Sequence, residues 1–279
     1  MEKFTVVTGD GFELHATTFG DAHRCRAAVL IAPGMGIEQH FYAAFAQWLA
    51  EQGFLVVTFD YRGIGHSRPP QYRRSLRGFE ADVMTWARRD CAAMIDSVAG
   101  RAAGKPLLWI GHSLGGHLLA LAPNHRRVAA MLTVASGSGY WRENSIRLRS
   151  IVWWLWYLLV PVTLRLYGYF PGRRLRKVGD LPAGVMQQWR QWCLHRDYLV
   201  GCEGDAVRRR YAEVTAPILS LSFTDDHYMS RANVESLHGF YCGAPREIGA
   251  RSIGHLGFFR KRFAESLWPQ AGAWLAAQA

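Results

Sequence analysis

Gly111-His112-Ser113-Leu114-Gly115 stands between an apolar run, Pro106-Leu107-Leu108-Trp109-Ile110, and a helix-forming run, Gly116-His117-Leu118-Leu119-Ala120-Leu121-Ala122. The pattern is G-x-S-x-G. The run before it has the length and composition of a buried strand, and the run after it reads as a packed helix. A serine on so sharp a strand-to-helix turn is held in a strained backbone conformation that lifts its hydroxyl above the end of the sheet. Glycines flank it because a Cβ there would meet the neighbouring strand or helix. The pentapeptide alone arises readily by chance. Strand before and helix after make Ser113 a candidate nucleophile.

The segments around this turn alternate between strand and helix patterns. Residues 4–7 and 13–17, separated by Gly9-Asp10-Gly11, predict a β-hairpin. Residues 27–32 are continuously apolar and end in Pro33-Gly34, the pattern of a strand buried on both faces. Residues 41–51 carry helical spacing and stop at Gly53, and residues 55–59 form another apolar run closed by Asp60-Tyr61-Arg62-Gly63. Residues 79–98 predict a long amphipathic helix ended by Gly100, and residues 128–135 a further strand. Such alternation predicts an α/β fold with a mostly parallel, doubly wound sheet. Ligands in these sheets bind beyond the carboxyl ends of the strands, where Gly34, Gly63 and Ser113 all fall.

The rhythm breaks at Gly137-Ser138-Gly139 and resumes at Pro217-Ile218-Leu219-Ser220-Leu221. The chain is therefore expected to consist of a core over residues 1–139 and 216–279 and an inserted, Trp- and Arg-rich helical cap over residues 140–215. Residues 151–160 are apolar all round, and the run continues past Pro161 to Leu164. It is expected to be too short to cross a bilayer, which takes about 20 residues, and to be interrupted at Pro161. Arg147, Arg149 and Arg165 flank it, with Arg173, Arg174, Arg176 and Lys177 following. Three uses are compatible: packing on the core, lining an apolar acyl pocket, or lying at an anionic membrane surface with tryptophans and arginines at the headgroups. After the insert come a strand over residues 218–223, a less regular one near 246–248, and a helical stretch over 263–277 with a break expected at Pro269.

Composition narrows the class. Hydrophobic residues make up 49% of the 279 and charged residues 20%, enough to bury a substantial core and too apolar for a disordered chain. The formal charge is +11, mostly from arginine, since Lys3, Lys105, Lys177 and Lys261 are the only lysines. No helix-turn-helix, zinc-finger or RNA-binding signature accompanies that charge, so nucleic acid is not an expected partner. Cys25, Cys91, Cys193, Cys202 and Cys242 are scattered, odd in number and without a C-x-x-C pair. Free thiols in a reducing compartment follow, rather than a zinc site or disulfides. The first residues carry no hydrophobic signal core, so the expected location is cytoplasmic, with membrane association through the cap as an option. No phosphate-binding loop, dinucleotide fingerprint or metal-ligand spacing is present, and no cofactor is expected.

A serine hydroxyl attacks only if a base takes its proton, usually a histidine oriented by a carboxylate. With this turn the expected chain order is serine, acid, histidine. Residues 217–223 form a strand that runs into Thr224-Asp225-Asp226-His227, and Ile253-Gly254-His255-Leu256-Gly257-Phe258-Phe259 sets a histidine in a glycine-flanked turn. On these residues the chain resembles the α/β-hydrolase superfamily of serine hydrolases. Asp60-Tyr61-Arg62-Gly63-Ile64-Gly65-His66-Ser67 is similar to that superfamily's D-x-R-G-x-G-x-S loop, and the G-H-x-G-F-F turn to that of a poorly characterised bacterial subgroup.

The resemblance implies further roles. The superfamily frame P-x-L-x-x-x-G-x-x-D places the acid at Asp226, with Phe223 in the position of the usual glycine; Asp225 is the alternative acid. Some relatives carry the acid after an earlier strand, where Glu143 would serve. His255 is the base, since His227 lies too near the acid to be oriented by it. The oxyanion donors are the N–H of Leu114 and of Met35, because Pro33, which has no N–H, stands where relatives have histidine. Asp60 and Arg62 are expected to be structural, tying a strand end beneath the serine turn. His112 lies beside the site without acting as base, and the remaining histidines are surface or packing residues. Together these imply a cofactor-independent serine hydrolase acting on an ester or thioester with an apolar acyl part. Acyl transfer or lyase chemistry on the same triad is the alternative, and a non-catalytic membrane-associated or binding protein with a vestigial site is the rival.

Overall fold

Strands that read as apolar runs assemble into one eight-stranded sheet. The structure is a computed structural model describing residues 1–175, 178–251 and 254–279. Arg176, Lys177 and Ile253, quoted above, lie outside the described residues. The strands in chain order are β1 (Glu2–Val7), β2 (Glu13–Phe19), β3 (Ala27–Ala32), β4 (Phe54–Phe59), β5 (Leu107–His112), β6 (Val128–Val134), a short pair β7 (Tyr169–Phe170) and β8 (Leu181–Pro182), β9 (Ile218–Phe223) and β10 (Arg246–Arg251). The large sheet runs β1-β2-β4-β3-β5-β6-β9-β10. The β1–β2 and β2–β4 pairs are antiparallel, and every other pair in it is parallel. This is the α/β-hydrolase fold.

Every residue of β3, β4 and β5 is buried, as a sheet covered on both faces requires. The two-residue period sends Ala28 and Leu30 of β3 to one core and Val29 and Ile31 to the other. The first core includes Trp86, Trp109 and Leu118; the second includes Phe45, Phe258 and Trp268.

Helix α1 (Ala43–Glu51) follows β3. Helix α2 spans residues 83–101, with a π-helical turn over Trp86–Cys91. It begins at Val83, four residues later than its periodicity suggests, because the Asp82 carboxylate accepts the Thr85 N–H at 2.6 Å and sets the N-terminus there. Helix α3 (Gly115–Leu118) follows the serine turn and passes into a 3-10 turn. Between β6 and β9 the chain forms α4 (residues 146–167), the β7–β8 pair, α5 (Ala183–Leu194), α6 (Tyr198–Glu203) and α7 (Asp205–Ala212). Helix α8 (Arg231–Phe240) and α9 (Trp268–Ala276) complete the core.

Of the two proline expectations, one holds and one is corrected. The stretch over residues 263–277 is broken beside Pro269: residues 264–267 are turns and the helix starts at Trp268, with Pro269 in its first turn, where a missing N–H costs nothing. Pro161 does not interrupt α4, which runs through it as Ile146–Trp154, a π turn Leu155–Leu159, and Val160–Tyr167. Proline removes a donor to the preceding turn. Arg190 of α5 supplies one from outside, its Nε donating to the Trp156 carbonyl at 2.5 Å. The apolar segment is therefore long enough by length and composition to cross a bilayer: the most apolar 18-residue window within Leu148–Tyr167 has a mean hydropathy of 1.3.

Candidate active site

The turn after β5 holds Ser113 at φ +49°, in the left-handed region that non-glycine residues rarely occupy. Its N–H donates to the Val134 carbonyl at 2.8 Å, which fixes the strained residue against β6. The flanking glycines are required by contact. A Cβ on Gly111 would lie 2.5 Å from the Gly115 carbonyl oxygen, and one on Gly115 would lie 2.1 Å from the Ala32 carbonyl oxygen. The hydroxyl of Ser113 lies 3.2 Å from Nε2 of His255.

On its other side, Nδ1 of His255 lies 2.7 Å from Oδ2 of Asp226. The Asp226 side chain is 1% exposed and sits in the turn after β9, where its own N–H donates to the Phe223 carbonyl at 3.1 Å. Its Oδ1 accepts the N–H groups of Tyr228 and Met229 at 2.8 and 3.1 Å. One carboxylate oxygen is thus taken by backbone and the other faces His255. A carboxylate oxygen only accepts, so Nδ1 carries the proton and Nε2 presents its lone pair to the Ser113 hydroxyl.

Asp225, the alternative acid, does something different. Its Oδ1 accepts the Gly254 N–H at 2.6 Å, bracing the turn that carries His255. Glu143 accepts from the hydroxyls of Ser138 and Ser236 at 2.5 and 2.6 Å, tying α8 to the segment after β6. His227 is exposed. Of the acids weighed, the structure brings Asp226 to His255.

The loop after β3 lies directly against the serine, since a Cβ on Gly34 would come within 3.4 Å of the Ser113 Cβ. Met35 and Leu114 are buried there. The Gly34 N–H donates to the Tyr42 hydroxyl at 2.8 Å, whereas among the described residues no acceptor takes the N–H of Met35 or Leu114. The Tyr61 hydroxyl donates to the Pro33 carbonyl at 3.1 Å and holds this loop from below.

A second hydrogen-bonded chain runs behind the first. The Tyr42 hydroxyl lies 2.8 Å from Nδ1 of His112, and Nε2 of His112 lies 3.3 Å from the His255 carbonyl. That carbonyl only accepts, so Nε2 carries the proton and Tyr42 donates to Nδ1. Full burial drives the His112 pKa down to about 3, with the neighbouring His255 adding to the effect, so the ring stays neutral. Nothing in the sequence marks Tyr42, because an aromatic residue opening a helix carries no signal beyond packing.

Asp60 and Arg62 face inward. Asp60 accepts from the Gln39 N–H, the Gln39 amide and the His66 N–H, and burial raises its pKa. Arg62 bridges Asp90 and Asp10, each at 2.7 Å. Among the described residues no group of three or more His, Cys, Asp or Glu side chains is placed to hold a metal ion. Two surface depressions, one beside Val6, Arg88 and Asp96 and one beside Arg126 and Glu213, include none of the residues of this site.

The sheet order, with the serine turn after β5 and the acid turn after β9, is that of the α/β-hydrolase fold. The family model of the serine aminopeptidases, S33, matches residues 23–178, more than half of the chain, and the chain belongs to that family. The matched stretch contains Met35, Ser113 and Leu114 and ends before Asp226 and His255. Over 144 residues the chain is 28% identical to the uncharacterized protein YfhR of Salmonella typhi, covering 50% of this chain and 46% of that protein. The chain thus spans about half the length of the curated relatives it matches. A soluble variant of monoglyceride lipase from Saccharomyces cerevisiae, solved with a substrate analog, superposes over 100% of this chain and 95% of its own, with a TM-score of 0.71 at 14% identity. A carboxyl esterase from Bacillus coagulans superposes over 99% and 98%, with a TM-score of 0.69 at 13% identity. At these identities the two structures establish likeness of fold.

Proposed function

We propose that this chain is a cofactor-independent serine hydrolase that cleaves an ester or thioester with an apolar acyl part. Ser113 Oγ attacks the carbonyl carbon while His255 Nε2 takes the hydroxyl proton, and Asp226 stabilises the imidazolium that forms. The N–H groups of Met35 and Leu114 donate to the oxyanion. His255 then returns the proton to the departing alkoxide or thiolate, leaving an acyl group on Ser113. Water, deprotonated by His255, releases the acid and regenerates the serine.

The observation that carries this proposal is the unbroken chain from Ser113 through His255 to a carboxylate buried at 1% exposure. The N–H groups of the buried Met35 and Leu114, which no acceptor takes among the described residues, support the oxyanion assignment. Apolar Met35 and Leu114, buried in the two loops that meet at Ser113, support an apolar acyl part. In the same reading the helical segment over residues 140–215 is a cap, because Gly179 within it donates its N–H to the Gly36 carbonyl of the loop that carries Met35.

The test is hydrolysis of a chain-length series of chromogenic esters by the wild type and by Ser113→Ala, with fluorophosphonate labelling alongside. Ser113→Ala is expected to lose about 10⁴-fold or more in kcat and all of the label. Hydrolysis at the wild-type rate by folded Ser113→Ala would overturn the mechanism, and a rate that ignores acyl length would overturn the substrate class.

A further inference from the structure

Helix α4 turns an apolar face outward that the rest of the fold leaves uncovered. Ile146, Trp154 and Leu166 are 82%, 58% and 63% exposed, and Ile151, Trp153 and Leu158 are exposed with them. Only 22% of the most apolar 18-residue window within Leu148–Tyr167 is buried. The opposite face is already committed: Trp156, Val160 and Thr163 are buried, and the Trp156 carbonyl accepts from Arg190. Rotating the helix to hide its outer face would strip those groups from their partners. Crossing a bilayer would do the same, so length and hydropathy alone do not make α4 a span.

Charge identifies what would cover this face. Residues 144–179 contain seven Lys and Arg and no Asp or Glu. Arg149 and Arg165, exposed near the two ends of the helix, frame the aromatic and aliphatic centre. Arg173 of this segment pairs with Glu38, but a second copy docked on the face itself would bring the exposed Arg149 and Arg165 of two chains together. An anionic lipid surface would satisfy both features, with tryptophan rings at headgroup depth and arginines on the phosphates. We propose that α4 is an interfacial anchor lying in the plane of an anionic bilayer.

Cosedimentation with vesicles tests this directly, using phosphatidylcholine with and without phosphatidylglycerol. The wild type is expected to pellet with the mixed vesicles at low salt, to stay in the supernatant with phosphatidylcholine alone, and to be released by added salt. Trp154→Asp and Leu158→Asp should each lower partitioning about tenfold or more. Arg165→Glu should lower it by at least about fivefold. All three variants should keep the far-ultraviolet circular dichroism of the wild type. Wild-type protein that ignores phosphatidylglycerol vesicles at low salt, or Asp variants that pellet as the wild type does, would refute the anchor. So would a concentration-dependent dimer that Trp154→Asp abolishes in protein that binds no vesicles, since the face would then serve a second copy.

Discussion

Replacing Asp226 by asparagine changes one atom, and the surrounding hydrogen bonds decide what that change does. Oδ1 of Asp226 accepts two backbone N–H groups, from Tyr228 and Met229. In Asp226→Asn the amide oxygen must stay there, because turning the NH₂ toward those donors would oppose donor to donor in a site 1% exposed. The NH₂ is therefore forced to face Nδ1 of His255. Nδ1 must then become an acceptor, which moves the ring proton to Nε2 and points N–H at the Ser113 hydroxyl. A base with its proton already in place cannot take another. Loss of the correct tautomer costs about 10⁴-fold in kcat, equivalent to about 5 kcal/mol of barrier. Asp225→Asn is the internal control, since an amide oxygen there still accepts the Gly254 N–H; its loss should stay within about tenfold. Steady-state hydrolysis of a short chromogenic ester at neutral pH separates the two, with thermal midpoints confirming that both variants fold. A folded Asp226→Asn within tenfold of wild type, or an Asp225→Asn loss as large as that of Asp226→Asn, would refute the assignment.

The second hydrogen-bonded chain makes its own predictions. Tyr42→Phe leaves the Gly34 N–H and His112 Nδ1 unpartnered in a fully buried position and should destabilise the fold by about 2 kcal/mol in urea titration; an unchanged midpoint would contradict that network. Burial also holds His117 neutral with its pKa pushed down to about 3 and His238 with its pKa pushed down to about 4. A histidine lowered on folding takes up a proton on unfolding, so its contribution is present above the unfolded pKa near 6.5 and is lost as pH falls toward the folded one. Between pH 7 and 5, His238→Gln should accordingly lose about 2 kcal/mol less stability than the wild type. Equal losses, measured as urea midpoints at the two pH values, would show that His238 does not stay neutral.

What was legible in the sequence follows from how local each cause is. Burial on both faces makes β3, β4 and β5 continuous apolar runs, and the steric demands on Gly111 and Gly115 fix the pattern around Ser113, so both can be read directly. Asp226 and His255 were found through chain order, which reports that a strand end and a loop return to the same edge of the sheet. Other features depend on distant residues. Nothing near Pro161 announces Arg190, which sits 29 residues on and lets α4 continue through the proline. Asp225 and Asp226 are adjacent and chemically alike, so residue chemistry alone does not separate them; the superfamily frame points to Asp226, and the three-dimensional turn sends it to the imidazole and Asp225 to the Gly254 N–H. Tyr42 reaches His112 across 70 residues of chain, a distance over which periodicity carries no information.

Gly179 and Gly36 meet backbone to backbone. A Cβ on Gly179 would lie 2.5 Å from the Gly36 carbonyl oxygen, and one on Gly36 would lie 3.0 Å from the Gly179 nitrogen. Beside them, Arg68 and Asp180 pair at 3.1 Å with little exposure. This edge is therefore a seam. Lifting the segment there would break a main-chain hydrogen bond and a sheltered ion pair together, so the loop bearing Met35 and the segment between β7 and β8 are held as one piece.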